Sequence, residues 1–243
     1  MIVALMIGRS GSRMKGKNNR KILGRPMCSY PLIACKKTKM VDKIFVSTDC
    51  EKIKKISKKY NSIIIDRPKQ LATKKALSED AFVHGYNYIK KYLGNKHDKI
   101  RYVILLYANS PTVNKDLIIK GIKILDKNKF FDSAVSTSIY NMWSPLRARR
   151  LKKDGTLKPF VPFEVFGDPK TLNCDRDSQG DVYYADAGVA IVRPKCLEKV
   201  NSGLLPFKFM GKKIAPIKSW GGCDVDYEWQ IPQVEYWIKK NFK

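Results

Sequence analysis

The chain opens on an unbroken apolar run, Ile2-Val3-Ala4-Leu5-Met6-Ile7. No polar residue interrupts it, which is the pattern of a strand buried on both faces. Comparable short apolar runs recur at 43–49, 62–65, 102–107, 131–137, 189–192 and 213–217. Between them the period changes to that of amphipathic helices, at 27–40, 50–60, 78–93, 114–127, 194–200 and 228–242. Asp49 is read as the N-cap of the 50–60 helix. The alternation of strand and helix predicts an α/β fold whose mostly parallel sheet is joined by right-handed crossovers. The segment 143–171 is rich in Pro, Phe and basic residues and keeps no clean period, so it reads as an excursion from the sheet.

Composition narrows the class without naming the chemistry. With 243 residues and 44% apolar content, the chain is long enough for one α/β domain with an insertion. No apolar run approaches the ~20 residues needed to span a bilayer. The 1–7 run has neither a basic n-region nor a small-residue cleavage site, so no signal peptide is expected and the protein is expected to be cytoplasmic. Six cysteines (Cys28, Cys35, Cys50, Cys174, Cys196, Cys223) form no C-x-x-C pair. They are expected to be reduced and structural. The formal net charge is +26. One reading is a nucleic-acid-binding protein. The lysines, however, are spread over the polar faces of many helices, which fits an enzyme for anionic substrates better. The 147–153 stretch is the exception and could touch a polyanion.

The chemistry is concentrated just after the first strand. The stretch 8–21 carries Gly8, Gly11 and Gly16, Ser10 and Ser12, and the cations Arg9, Arg13, Lys15, Lys17, Arg20 and Lys21. Small residues let backbone N–H groups approach an anion, and the cations neutralise it. A loop of this kind at the carboxyl end of a parallel strand is where open α/β sheets bind ligands. It is read as a triphosphate cradle; the bland alternative is a basic surface turn. It is not the common P-loop, because Gly11…Gly16-Lys17 is followed by Asn18 rather than Ser or Thr. Near the other end, Asp224-Val225-Asp226 places two carboxylates on one face of an extended chain. Such a pair suits a hard divalent cation shared with phosphate oxygens. The alternative is that Asp226 caps the final helix.

Arg9, Ser12, Arg13, Lys17 and Asn18 form an R-x-x-S-[KR]…K-N pattern. It resembles the opening motif of the cytidylyltransferases that activate acidic sugars, the sialate, pseudaminate, legionaminate and octulosonate synthetases. Arg67, Pro68, Leu71, Ala72 and Ser78 resemble that family's R-P-x-x-L-[AS]…S segment. There, the alternatives are a surface salt bridge for Arg67 and a helix N-cap for Ser78. Tyr107-Ala108-Asn109-Ser110-Pro111 is similar to the Y-A-T-A-P of the pseudaminate branch. Thr112-Val113 stands where an arginine is common in sialate enzymes. The Arg176…Gln179…Asp186-Ala187-Gly188 arrangement also resembles that branch, although Arg176 could instead pair with Asp177 or Asp181.

The resemblance implies a Rossmann-like, mixed, mostly parallel sheet flanked by helices, the nucleotidyltransferase fold. It implies one such domain over 1–243, with an insertion over about 141–182 that serves dimerisation and the acceptor site. The implied reaction is transfer of CMP from CTP to an acid, most simply a nonulosonic acid, with an octulosonate or phosphonate as alternatives. Arg9, Arg13, Lys17 and Lys21 would balance the triphosphate. Gly8, Ser10, Gly11, Ser12, Asn18, Arg67 and Ser78 would hold the nucleotide. Tyr107, Asn109, Arg176, Gln179 and Asp186 would face the acceptor. Asp224 and Asp226 would bind Mg²⁺ or Mn²⁺. A homodimer is expected, with no membrane and no nucleic-acid partner, and His84 is expected to be packed rather than catalytic.

Overall fold

The computed structural model describes residues 1–11, 14, 16–175 and 180–242. In chain order the regular elements are β1 (Ile2–Ile7), β2 (Lys21–Ile22), β3 (Arg25–Pro26), α1 (Ser29–Thr38), β4 (Lys43–Thr48), α2 (Glu51–Lys58), β5 (Ile63–Asp66), α3 (Ser78–Leu93) and β6 (Tyr102–Tyr107). They continue with α4 (Lys115–Lys127), β7 (Ser133–Ile139), β8 (Arg149–Leu151), β9 (Leu157–Pro159), β10 (Tyr183–Val192), α5 (Lys195–Glu198), β11 (Ile214–Ser219) and α6 (Ile231–Asn241). A seven-stranded sheet runs in the order β11-β7-β10-β6-β1-β4-β5. β1 is parallel to both neighbours, with Ile7 opposite Tyr107 of β6 and Ser47 of β4. β4 and β5 are parallel, and β10 is antiparallel to β6. The sheet is therefore mixed and mostly parallel, as expected.

The uninterrupted apolar run of β1 divides by parity between two cores. Ile2, Ala4 and Met6 point to one face, packed with Leu32 of α1, Ile118 of α4 and Trp237 of α6. Val3, Leu5 and Ile7 point to the other, packed with Phe82 and Tyr86 of α3 and Leu197 of α5. Each apolar side chain fully buried in these layers contributes roughly 1.5–3 kcal/mol. This three-layer arrangement leaves the carboxyl ends of β1 and β6 open.

The chain packs as two compact units, one of residues Met1–Thr137 with Ala185–Lys243, the other of Ser138–Tyr184. The smaller unit holds the β8–β9 hairpin, in which Arg150 faces Lys158. Leu151 and Leu157 are both exposed there. Its order comes instead from aromatic and cationic contacts. Tyr140 stacks on Trp143 at 4.8 Å, Arg150 lies 4.9 Å from the Phe160 ring, and the Tyr184 hydroxyl donates to the Trp143 carbonyl.

One expected helix cap and two alternative ones are corrected. Asp49 does not cap α2: Cys50 is the N-cap residue and makes no side-chain cap bond. Asp49 turns away to accept the backbone N–H and the hydroxyl of Ser10. Ser78 lies inside α3, whose N-cap is Leu77. Asp226 precedes a capping box formed by Tyr227 and Gln230. In each case a partner distant in sequence, or a neighbouring residue, outcompetes the local cap.

Asp132, just before β7, ties the sheet to its edge. It accepts the N–H groups of Lys212 and Lys213 at 3.0 Å and pairs with Lys195 at 2.7 Å. Burial works against its ionised form, but Lys195 and the two N–H groups outweigh it and bring the pKa down to about 2. A depressed carboxylate stabilises the fold above its unfolded pKa and loses that contribution as the pH falls through the folded value. Asp132→Asn is therefore less stable than wild type at neutral pH. In urea unfolding the gap closes as the pH drops from about 4 to about 2.

Candidate active site

Strand order reverses between β1 and β6, and the loops that follow them part there, the usual ligand crevice of an open α/β sheet. The Gly8 N–H donates to the Ser47 carbonyl and the Ala108 N–H to the Ile7 carbonyl. A Cβ on residue 8 would lie 2.6 Å from the Ala108 Cβ. Only glycine lets the two loops leave the sheet so close together. Beyond them opens a cleft of 210 Å³, lined among others by Gly8, Arg9, Lys17, Arg67, Asn109 and Asp224.

The cleft is strongly cationic. Arg67 is buried, donating from Nη2 to the Ser47 carbonyl at 2.7 Å and from Nε to the Ser47 hydroxyl at 3.3 Å. Burial lowers its pKa to about 10, with Asp49 opposing and Arg9 adding to the shift. The guanidinium thus stays charged at neutral pH, bonded to a serine rather than to a carboxylate. This corrects the surface salt-bridge alternative. Lys17 is also buried and reaches Asp226 at 2.5 Å. Asn18 donates to the Arg9 carbonyl at 3.0 Å, while its Oδ1 is buried without a partner. A buried acceptor of this kind is satisfied when a ligand supplies a donor. His84 is half-buried, and burial followed by Arg67 lowers its pKa, so it is neutral packing behind the cations.

The same cleft also holds a carboxylate. Asp224 accepts from Asn109 Nδ2 at 3.0 Å. Burial raises its pKa and the nearby Asp226 raises it further, with Asn109 and Lys17 opposing. Two carboxylates that repel each other in a partly dry place suit a divalent cation, and Mg²⁺ commonly takes one or two carboxylates plus substrate phosphates. Among the described residues no group of three or more His, Cys, Asp or Glu side chains stands ready for a metal.

Of the expected site residues, Gly8, Arg9, Gly11, Lys17, Asn18, Arg67, Ser78, Tyr107, Asn109 and Asp224 line this cleft. Asp226 is tied to it through Lys17. Tyr107 hydrogen-bonds Ser78, and burial pushes its phenol pKa up. Three others are not among the cleft's lining residues. Ser10 is held by Asp49 through both its N–H and its hydroxyl. Lys21 is exposed in the two-residue strand β2, away from the cleft lining. Asp186 is buried, accepting from the Ser136 hydroxyl and the Gly188 N–H, and does not face the cleft. Ser12, Arg13, Arg176 and Gln179 lie outside the described residues. The sequence reading passed over Ala76, Leu77 and Ala81, which form an apolar wall. Its only signal was a short apolar pair ahead of α3.

Comparison with known proteins bears on this cleft. The family model described as cytidylyltransferase matches residues 3–154. The chain is similar to the N-acylneuraminate cytidylyltransferase of Escherichia coli, 28% identical over 141 residues, covering 58% of this chain and 32% of that protein. It is also similar to the Helicobacter pylori protein named pseudaminic acid cytidylyltransferase and UDP-2,4-diacetamido-2,4,6-trideoxy-beta-L-altropyranose hydrolase, 27% identical over 152 residues, covering 62% of this chain and 28% of that one. The match thus spans about a third or less of the length of these relatives. Among solved structures, CMP:2-keto-3-deoxy-manno-octonic acid synthetase complexed with CTP shares the fold. Its TM-score is 0.66, at 12% identity over 98% of both chains.

Proposed function

This chain belongs to the cytidylyltransferase family, and from that premise we propose that it transfers the CMP unit of CTP to an acidic sugar and releases pyrophosphate. The observation that carries the reading is the convergence of Arg9, Lys17 and Arg67 with Asp224 in one cleft at the β1–β6 switch point, with Asp226 tied to it through Lys17. The N-acylneuraminate and pseudaminic acid names of its relatives support a nonulosonic acid as acceptor.

The reaction is an in-line displacement at the α-phosphorus, which needs alignment and charge neutralisation more than a covalent nucleophile. Arg9, Lys17 and Arg67 balance the triphosphate, and Arg13 is assigned the same role. The backbone at Gly8 and Gly11 lets phosphate oxygens come close. Asn18 offers its unpartnered Oδ1 to a donor on the nucleotide. Asp224 and Asp226 would hold Mg²⁺ or Mn²⁺, which would supply Lewis-acid neutralisation of phosphate charge. Lys17 leaves Asp226 for the triphosphate and frees a carboxylate oxygen. Tyr107 and Asn109 face the acceptor side of the cleft. The 141–182 segment, with its exposed Trp143, Leu151 and Phe160, serves a homodimer. The protein works in the cytoplasm; no described helix is long and apolar enough to cross a membrane.

The test is pyrophosphate release with CTP and Mg²⁺ against sialic, legionaminic, pseudaminic and octulosonic acids and several phosphonates. Release with a nonulosonic acid is the expected result. Release only with the octulosonate or a phosphonate overturns the acceptor class and keeps the reaction.

A further inference from the structure

Asp224 sits on an irregular segment between β11 and α6, yet its backbone is pinned on both sides. On the far side, Val225 donates its N–H to the Asn109 carbonyl at 2.8 Å and accepts from Asn109 Nδ2 at 3.2 Å. On the near side, both backbone polar groups of Cys223 go to a single hydroxyl. Thr112 Oγ1 accepts the Cys223 N–H at 3.0 Å and donates to the Cys223 carbonyl at 3.0 Å. Thr112 is 1% exposed, so no water competes for that hydroxyl. Gly222, one residue earlier, rests against Asp186: a Cβ there would lie 2.4 Å from the carboxylate oxygen. Asp186 is itself held by Ser136 and Gly188.

We infer that Thr112 is a positioning residue for Asp224. Its hydroxyl fixes the backbone from which that carboxylate projects, while Asp186 limits movement of the residues before it. The inference rests on the reading of Asp224 as a metal ligand. A ligand on irregular chain is useful only if that chain is held still, and partners outside the first coordination sphere commonly set metal affinity within a factor of about 10–100.

The test titrates Mn²⁺ into the full chain with CTP present, followed by electron paramagnetic resonance. Thr112→Val and Thr112→Ala both remove the hydroxyl, one keeping the side-chain shape and the other shrinking it. Each is expected to weaken Mn²⁺ binding about 10-fold or more. CTP binding without metal should be unchanged. Thr112→Ser keeps the hydroxyl and should bind Mn²⁺ like wild type. Loss of Mn²⁺ affinity in Thr112→Ser equal to that in Thr112→Val overturns the inference, because packing rather than the hydroxyl would then matter. Wild-type affinity in both hydroxyl-free variants, with Asp224→Ala losing Mn²⁺, also overturns it and leaves the metal reading intact. Undiminished Mn²⁺ binding by Asp224→Ala removes the metal reading itself.

Discussion

Asp224→Asn lowers nucleotide transfer by about 1,000-fold or more, the equivalent of roughly 4 kcal/mol of transition-state stabilisation. The replacement keeps the side-chain shape and leaves an oxygen to accept from Asn109. What it removes is the charge that would hold a divalent cation against the triphosphate. Stability moves the other way. Burial, then Asp226, raises the pKa of Asp224. A raised carboxylate favours the fold below its unfolded pKa and loses that contribution as the pH rises through the folded value. At neutral pH the neutral amide is thus at least as stable as the ionised acid. Pyrophosphate-release kinetics and thermal melting in metal-free buffer check the two halves together. An inactive variant that also melts early would point to misfolding instead of lost chemistry.

Lys17→Met costs about 100- to 1,000-fold in kcat/KM, the range seen when one preorganised charge donor is removed. Lys17 occupies a junction: it is buried, lines the cleft and pairs with Asp226 at 2.5 Å. Its loss removes a cation from the triphosphate and leaves Asp226 without its counter-charge beside Asp224. A second substitution separates the two effects. Lys17→Met with Asp226→Asn should recover stability lost in the single variant, because position 226 no longer carries an uncompensated charge beside Asp224. Activity should not recover, because the cation is still missing. Recovery of activity in the double variant would reduce Lys17 to a structural ion pair.

The parts of this fold that were legible in the chain are those set by local periodicity. β1 was readable because six consecutive apolar residues have no face left for water, and they divide between two cores as such a strand must. The cleft's glycine and cation lining was readable because those residues directly follow β1. What was not legible depends on contacts between distant residues. Asp49 has the composition of a helix cap, but Ser10, 39 residues away, takes its carboxylate. Asp186 resembles an acceptor residue, but Ser136 and the backbone around Gly222 bury it. Thr112 drew notice only for an absent arginine; its partner is the backbone of Cys223, 111 residues on. The β8–β9 hairpin escaped because its leucines face solvent and leave no apolar alternation.

The most direct measurement is phosphorus NMR of the chain with CTP, Mg²⁺ and the acid panel. The account predicts that CTP disappears as a new phosphodiester and pyrophosphate grow in equal amounts, and that chelating the metal stops both. CTP left intact with every acid, or cleaved between its β- and γ-phosphates, would contradict it.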